Sequence, residues 1–189
     1  MFYRNLLHIN VSENIKNFLK TKLKNNNLKR KDFVQASGIP SSTLGNINKA
    51  GYSSPTLNTI ITIANYFECS MDEVVGRNIH SSLNLRNCKF LISDSESISI
   101  NLKNFLTEKL KTLNLNSYKL ARDLGFNELT ITSFIKENSS QKILGSAVTI
   151  ALADYFQVSL DEMVGRIKPT TSDNNEPSQQ NSNSDTEVK

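Results

Sequence analysis

The stretch Ala64-Asn65-Tyr66-Phe67-Glu68-Cys69-Ser70-Met71-Asp72-Glu73-Val74-Val75-Gly76-Arg77 returns later in the chain as Ala153-Asp154-Tyr155-Phe156-Gln157-Val158-Ser159-Leu160-Asp161-Glu162-Met163-Val164-Gly165-Arg166. Nine of the fourteen positions are identical, at an offset of 89 residues. Working upstream, Asn17-Phe18-Leu19, Lys22-Leu23-Lys24, Asn27-Leu28, Gly38, Thr43 and Lys49 reappear as Asn104-Phe105-Leu106, Lys109-Leu110-Lys111, Asn114-Leu115, Gly125, Thr130 and Lys136, at an offset of 87. A two-residue insertion between Asn138 and Gly145 reconciles the offsets. Two copies make a pair of small domains and not a solenoid. The expected division is an extension over 1–11, a first unit over 12–77, a linker over 78–97, a second unit over 98–166 and a polar tail over 167–189.

Within a unit the apolar residues repeat at helical spacing. Ile15, Phe18, Leu19 and Leu23 predict an amphipathic first helix that gives way at Asn25-Asn26-Asn27, and Leu102, Phe105, Leu106 and Leu110 are its counterpart. A second helix is predicted over 30–37, burying Phe33 and Val34 and stopping at Gly38. In the other copy Asn116 caps a helix over 117–124 that buries Leu120 and Ala121 before Gly125. A glycine there accepts the left-handed conformation that turns the chain. The third helix then starts near Ser41 or Glu128, with Leu44 and Ile47, or Ile131 and Phe134, facing inward. Ser54-Pro55 opens a fourth, with Pro55 suited to the first helical position, and Leu57, Ile60, Ile61, Ala64 and Phe67 form its buried stripe. The fifth begins with Ser70-Met71-Asp72-Glu73 or Ser159-Leu160-Asp161-Glu162, both S-x-x-E capping boxes. On this reading the acidic pairs serve their own helix N-termini.

Outside the units, Tyr3–Val11 and Lys89–Ile100 alternate enough to predict short strands that pair with each other. From Pro169 onward the composition predicts disorder. Residues 12–77 hold nine Lys/Arg against five Asp/Glu, a net +4, whereas residues 98–166 hold eight against seven, a net +1. The first unit therefore carries most of any attraction for phosphate. Cys69 aligns with Val158 and reads as a core position, and Cys88 has no such counterpart. The expectations are no metal site, no cofactor, no nucleophile or phosphate loop, and no enzymatic activity. His8 and His80 are isolated. With neither a membrane-length apolar run nor a leader-like N-terminus, a cytoplasmic location is expected.

Taken together, Phe33-Val34, Gly38-Ile39, Leu44 and Ile47, followed by Ser54-Pro55-Thr56-Leu57 and Ile63 to Val74, closely resemble the phage-repressor and Cro-like helix-turn-helix family, the XRE class. Leu120-Ala121, Gly125-Phe126, Ile131, Phe134 and Leu152 to Val164 do so in the second copy. The resemblance implies an all-α fold of two lambda-repressor-like five-helix domains, which the short strands predicted above would precede. It implies that the third helix enters the major groove while the start of the second approaches a phosphate. Arg30, Ser41, Ser42, Thr43 and Asn46 then face bases or backbone, and Lys29, Lys31 and Lys49 face phosphates. Chemistry agrees, because Asn bonds adenine bidentately and a Thr methyl can meet a thymine methyl. Ser117, Thr130, Ser133 and Lys136 are the corresponding positions of the second copy.

Departures from the pattern shape the expectation. Pro40 replaces the usual small cap of the third helix, which either moves the cap to Ser41 or strains the turn. In the second copy Ser117 stands for Arg30, and Glu128-Leu129 stand for Ser41-Ser42, so a carboxylate faces where phosphate would lie. The expected function is a sequence-specific regulator of transcription, a repressor, that binds double-stranded DNA through its first unit and acts as a homodimer, without membrane contact or small-molecule effector. Two units in cis could imitate a dimer. Dimerisation through the second unit or the strands is the arrangement favoured by the difference between the two surfaces. The alternative is a protein-interaction adaptor, antitoxin-like, whose helix-turn-helix folds read no bases.

Overall fold

The computed structural model describes residues 11–49, 55–78, 88–90, 95–136 and 143–169. Helix α1 runs Val11–Asn25, α2 Arg30–Ser37, α3 Ser41–Ile47, α4 Leu57–Tyr66 and α5 Met71–Val75. After strand β1, Cys88–Phe90, the same order returns as α6 (Ser95–Thr112), α7 (Ser117–Asp123), α8 (Leu129–Ile135), α9 (Ser146–Phe156) and α10 (Leu160–Met163). Strand β2 is Ile167–Pro169 and pairs antiparallel with β1, Lys89 opposite Lys168.

The apolar stripes of the sequence form the core. Ile15 of α1, Phe33 of α2, Leu44 and Ile47 of α3, Ile60 of α4 and Val74 of α5 are all buried. Helix α1 packs on α5 and α3, and α2 packs on α4. Phe33 meets Tyr66 edge-on at 4.8 Å and lies over Phe67 at 5.5 Å, so the Tyr-Phe pair is packing material within the unit. Phe105 and Phe156 repeat the edge contact of Phe18 and Phe67 in the second unit.

The duplication extends to the backbone. Asn27 and Asn114 leave α1 and α6 with φ near +50°, and Glu68 and Gln157 do the same after α4 and α9. Gly76 and Gly165 also have positive φ, and a Cβ on either would collide with the amide of Asn14 or Asn101. Those amides donate to the carbonyls of Val75 and Val164, which fastens each first helix to the end of the fifth.

The two units meet through these duplicated ends, and the contacts are reciprocal. Asp72 Oδ2 accepts from the Leu160 amide at 2.9 Å, and Asp161 Oδ2 accepts from the Met71 amide at 2.8 Å. The other oxygen of each carboxylate pairs with Arg77 or Arg166 of its own unit. Arg77 Nε donates across to Asp154, and Arg166 Nε donates across to Asn65. Ser146 Oγ adds a buried bond to the Pro55 carbonyl at 2.6 Å. The apolar side chains of both units join in one cluster.

Several expectations change here. The capping boxes do form, with Ser70 accepting from Glu73 N and Ser159 from Glu162 N. Service to their own helices nevertheless fails to account for Asp72 and Asp161, which are 1% and 0% exposed and cap the opposite unit. Of the strand expected at Lys89–Ile100, Lys89 and Phe90 lie in β1, residues 91–94 lie outside the described residues, and Ser95–Ile100 is the first turn and a half of α6. Among the described residues the partner of β1 is β2; of the Tyr3–Val11 stretch, residues 3–10 lie outside the described residues and Val11 begins α1. The segment expected to be tail from 167 starts with that strand; residues 170–189 lie outside the described residues. Pro55 precedes the cap of α4 instead of opening the helix, and Thr56 is the cap, accepting from Thr59 N at 3.2 Å.

Candidate nucleic-acid interface

The α2–α3 segment is a corner held from inside. Phe33, Ile39, Leu44 and Ile47 are at most 5% exposed and fix both helices against α1 and α4. Gly38 makes the corner at φ +70°, its amide bonded to Val34 O at 3.1 Å. Nothing lies within 4 Å of a Cβ built there, so backbone conformation alone demands glycine.

This anchoring leaves the opposite edge polar and open. Ser41 and Ser42 are exposed, Thr43 and Asn46 are half-buried, and Lys49 is exposed just past the end of α3. Lys29, Arg30 and Lys31 are exposed at the start of α2. Among the described residues, no side-chain hydrogen bond or ion pair engages any of these eight. Lys29 is the N-cap of α2 in extended conformation and provides no side-chain cap. The amides of Asp32 and Phe33 bond back to the Lys29 carbonyl, and three cations against one carboxylate, Asp32, give that first turn a net positive charge that favours an anion. Pro40 is itself the N-cap of α3 at φ −57° and ψ 138°, so the cap has not moved to Ser41 and the turn is relaxed. Asn48 closes the far end through Leu44 O at 3.0 Å.

Of the lysines on α1, Lys16 pairs with Glu13 at 3.1 Å and Lys22 pairs with Glu73 at 2.9 Å, as suits a solvated face. Lys16 and Lys20 also border, with Arg30, a cleft floored by Leu19, Leu23, Phe33, Leu44 and Ile47. That proximity is invisible in the linear pattern because it arises from how α2 folds back on α1.

The second unit repeats the corner but not its surface. Asn116 caps α7 through the amides of Tyr118 and Lys119, and Gly125 takes φ +83°. Ser117 Oγ is bonded to Thr132 Oγ1 at 2.7 Å, so this hydroxyl ties α7 to α8. Thr130 and Ser133 are half-buried and Lys136 is exposed. Glu128 lies 3.6 Å from Arg122 on the surface, and Asn127 Oδ1 caps Leu129 N at 2.9 Å. Leu129 is 53% exposed and Tyr118 44% exposed, where the first unit has Ser42 and Lys31.

Residues 18–78 match the Cro/C1-type HTH DNA-binding domain. An uncharacterized HTH-type transcriptional regulator of Rickettsia prowazekii is 35% identical over 83 residues, which cover 42% of this chain and 90% of that protein. A second from Rickettsia conorii is 32% identical over 83 residues, covering 42% of this chain and 76% of that protein. The chain belongs to the Cro/C1-type HTH transcriptional regulators. No solved structure gives a significant match.

In this regulator the first-unit positions expected to meet DNA occur together on the α2–α3 edge, whereas Ser117 of the second unit is engaged internally. The sequence reading missed the polar set between the units: Asn65, Asp72, Arg77, Asp154, Asp161 and Arg166. A signal was present, because Asp72 and Arg77 are charged yet repeat unchanged within the duplicated segment. Among the described residues there is no cluster of His, Cys, Asp and Glu able to hold a metal, and no helix is long and apolar enough to cross a membrane.

Proposed function

We propose that this regulator represses transcription by binding double-stranded DNA sequence-specifically, without enzymatic activity or cofactor, its first unit reading the major groove with α3. One observation supports this above others. The Ser41-Ser42-Thr43-Asn46 edge has no partner among the described residues, while Leu44 and Ile47 on the same short helix are buried. An edge held rigidly from behind and left unbonded in front is ready to bond base edges. Lys29, Arg30, Lys31 and Lys49 frame it and supply the phosphate contacts that set register. The second unit has the helix order of another helix-turn-helix domain; its role is to pair with the first and to contribute at most weak backbone contact through Thr130, Ser133 and Lys136.

The test is a duplex titration of the full chain over a range of salt. Log affinity falls steeply with log salt, and Lys29→Ala or Lys49→Ala each lowers the slope by about one. Asn46→Ala relaxes preference at one base pair and removes about 1–3 kcal/mol of discrimination, with little effect on random duplex. Equal losses on specific and random duplex would reject base reading by Asn46. Absence of binding at low salt would favour the adaptor reading, for which exposed Tyr118 and Leu129 provide apolar contact surface.

A further inference from the structure

Resting on the DNA-binding reading above, we infer that one chain is the complete DNA-binding assembly: the second unit occupies the place that a second copy of the first would take, and the duplex it serves carries one read half only.

The pattern of contacts between the units is that of a two-fold interface. In such an interface residue i of one partner meets residue j of the other, and j meets i. Asp72 bonds the amide of Leu160 while Asp161 bonds the amide of Met71, and these positions correspond at the 89-residue offset. Arg77 reaches Asp154 while Arg166 reaches Asn65, again corresponding positions. The Ser146–Pro55 bond stands outside this symmetry, because the position corresponding to Ser146 is Leu57. The set is also closed: among the described residues no buried side-chain nitrogen or oxygen lacks a partner. The ends of α5 and α10 are thereby occupied within one chain and are not open to a second.

The comparisons point the same way. The matched segment makes up nine-tenths of one relative and three-quarters of the other, but less than half of this chain. Those relatives are about one unit long, and this chain carries two. On this inference, pairing inside a single polypeptide takes the place of the homodimer expected from the sequence.

The outward faces have not kept the symmetry of the interface. Lys31, Ser41, Ser42 and Asn46 of the first unit correspond to Tyr118, Glu128, Leu129 and Ser133 of the second. Arg30 corresponds to Ser117, whose hydroxyl is bonded to Thr132. With Asn116 standing for Lys29, the second face has lost three cations and gained a carboxylate, so it cannot bind phosphate and bases as the first does. The site on DNA is therefore asymmetric.

The experiment is selection from a random duplex library with the full chain, followed by native mass measurement of the complex with a selected duplex. The expected result is one chain per duplex and a consensus lacking two-fold symmetry. Two chains per duplex, or a palindromic consensus, overturns the inference while leaving DNA binding intact. Failure to enrich any sequence, with no salt-sensitive duplex binding, overturns the underlying reading as well. The triple variant Tyr118→Lys, Glu128→Ser, Leu129→Ser changes only exposed side chains and keeps the core. It should add a second, inverted segment to the consensus and raise affinity on the order of tenfold at low salt, still at one chain per duplex. An unchanged consensus and affinity would overturn the placement of the second unit.

Discussion

Asp161 shows how much rests on one carboxylate at the junction. It is fully buried, holds Arg166, itself 1% exposed, and caps the start of α5. Removing one member of a buried pair leaves the other charge uncompensated, so Asp161→Ala should lower stability by about 3–5 kcal/mol in denaturant unfolding. Asp72 provides a pH signature. Burial, outweighing the pull of Arg77, pushes its carboxyl from the ordinary 3.8 up to about 7. Between these values the folded chain holds a proton that the unfolded chain releases, so this group's contribution to stability declines as pH rises from about 4 to about 7 and is level above. Asp72→Asn should flatten that part of the profile; an unchanged slope would show the carboxyl to be ionised throughout. Burial raises Asp161 in the same direction. Cys69, pushed up to about 12 mainly by burial, stays a thiol, in keeping with its reading as a core position. Phe33, Leu44 and Ile47 were legible in the sequence because helical spacing alone sorts inward from outward residues. Asp72 was not, because the S-x-x-E box already gave it a local explanation and its actual partner lies 88 residues away.

At the scale of elements, the helix ends were read better than their chemistry. Gly38 turns the chain where the pattern placed it, and Asn116 caps α7 as expected. Pro40 and Pro55 show the limit: a proline fixes its own φ but does not say whether it stands at a cap, inside the first turn or before it. For Pro55, the following Thr56 has the better acceptor and takes the cap. The later part of the 89–100 strand was misjudged for a related reason. Alternation over 89–100 was compatible with a strand, yet the segment from Ser95 found a helical face whose Ile98 and Leu102 are buried. One junction tests the geometry directly. Gly76→Ala combines φ +73° with a Cβ 2.7 Å from the Asn14 amide nitrogen, and should lose about 1–2 kcal/mol. Gly38→Ala meets no neighbour and should lose only the part due to backbone conformation. Thermal melts of both variants would separate the two contributions.

The whole molecule is two similar folds sharing one apolar cluster and one closed polar junction. The expected consequence is a single cooperative unfolding transition, with Tm independent of protein concentration. Two resolved transitions, or a Tm that rises with concentration, would show that the units melt separately or that chains associate. Because the partner of α5 is tethered on the same polypeptide, dilution cannot separate the pair, and the local concentration of one half around the other is set by the connecting segment. A protein that had to find its mate first would occupy its operator in proportion to the square of its abundance when scarce. With one chain per duplex, as inferred above, occupancy would track abundance directly. The crossed aspartates would thus give a graded genetic response in place of a threshold.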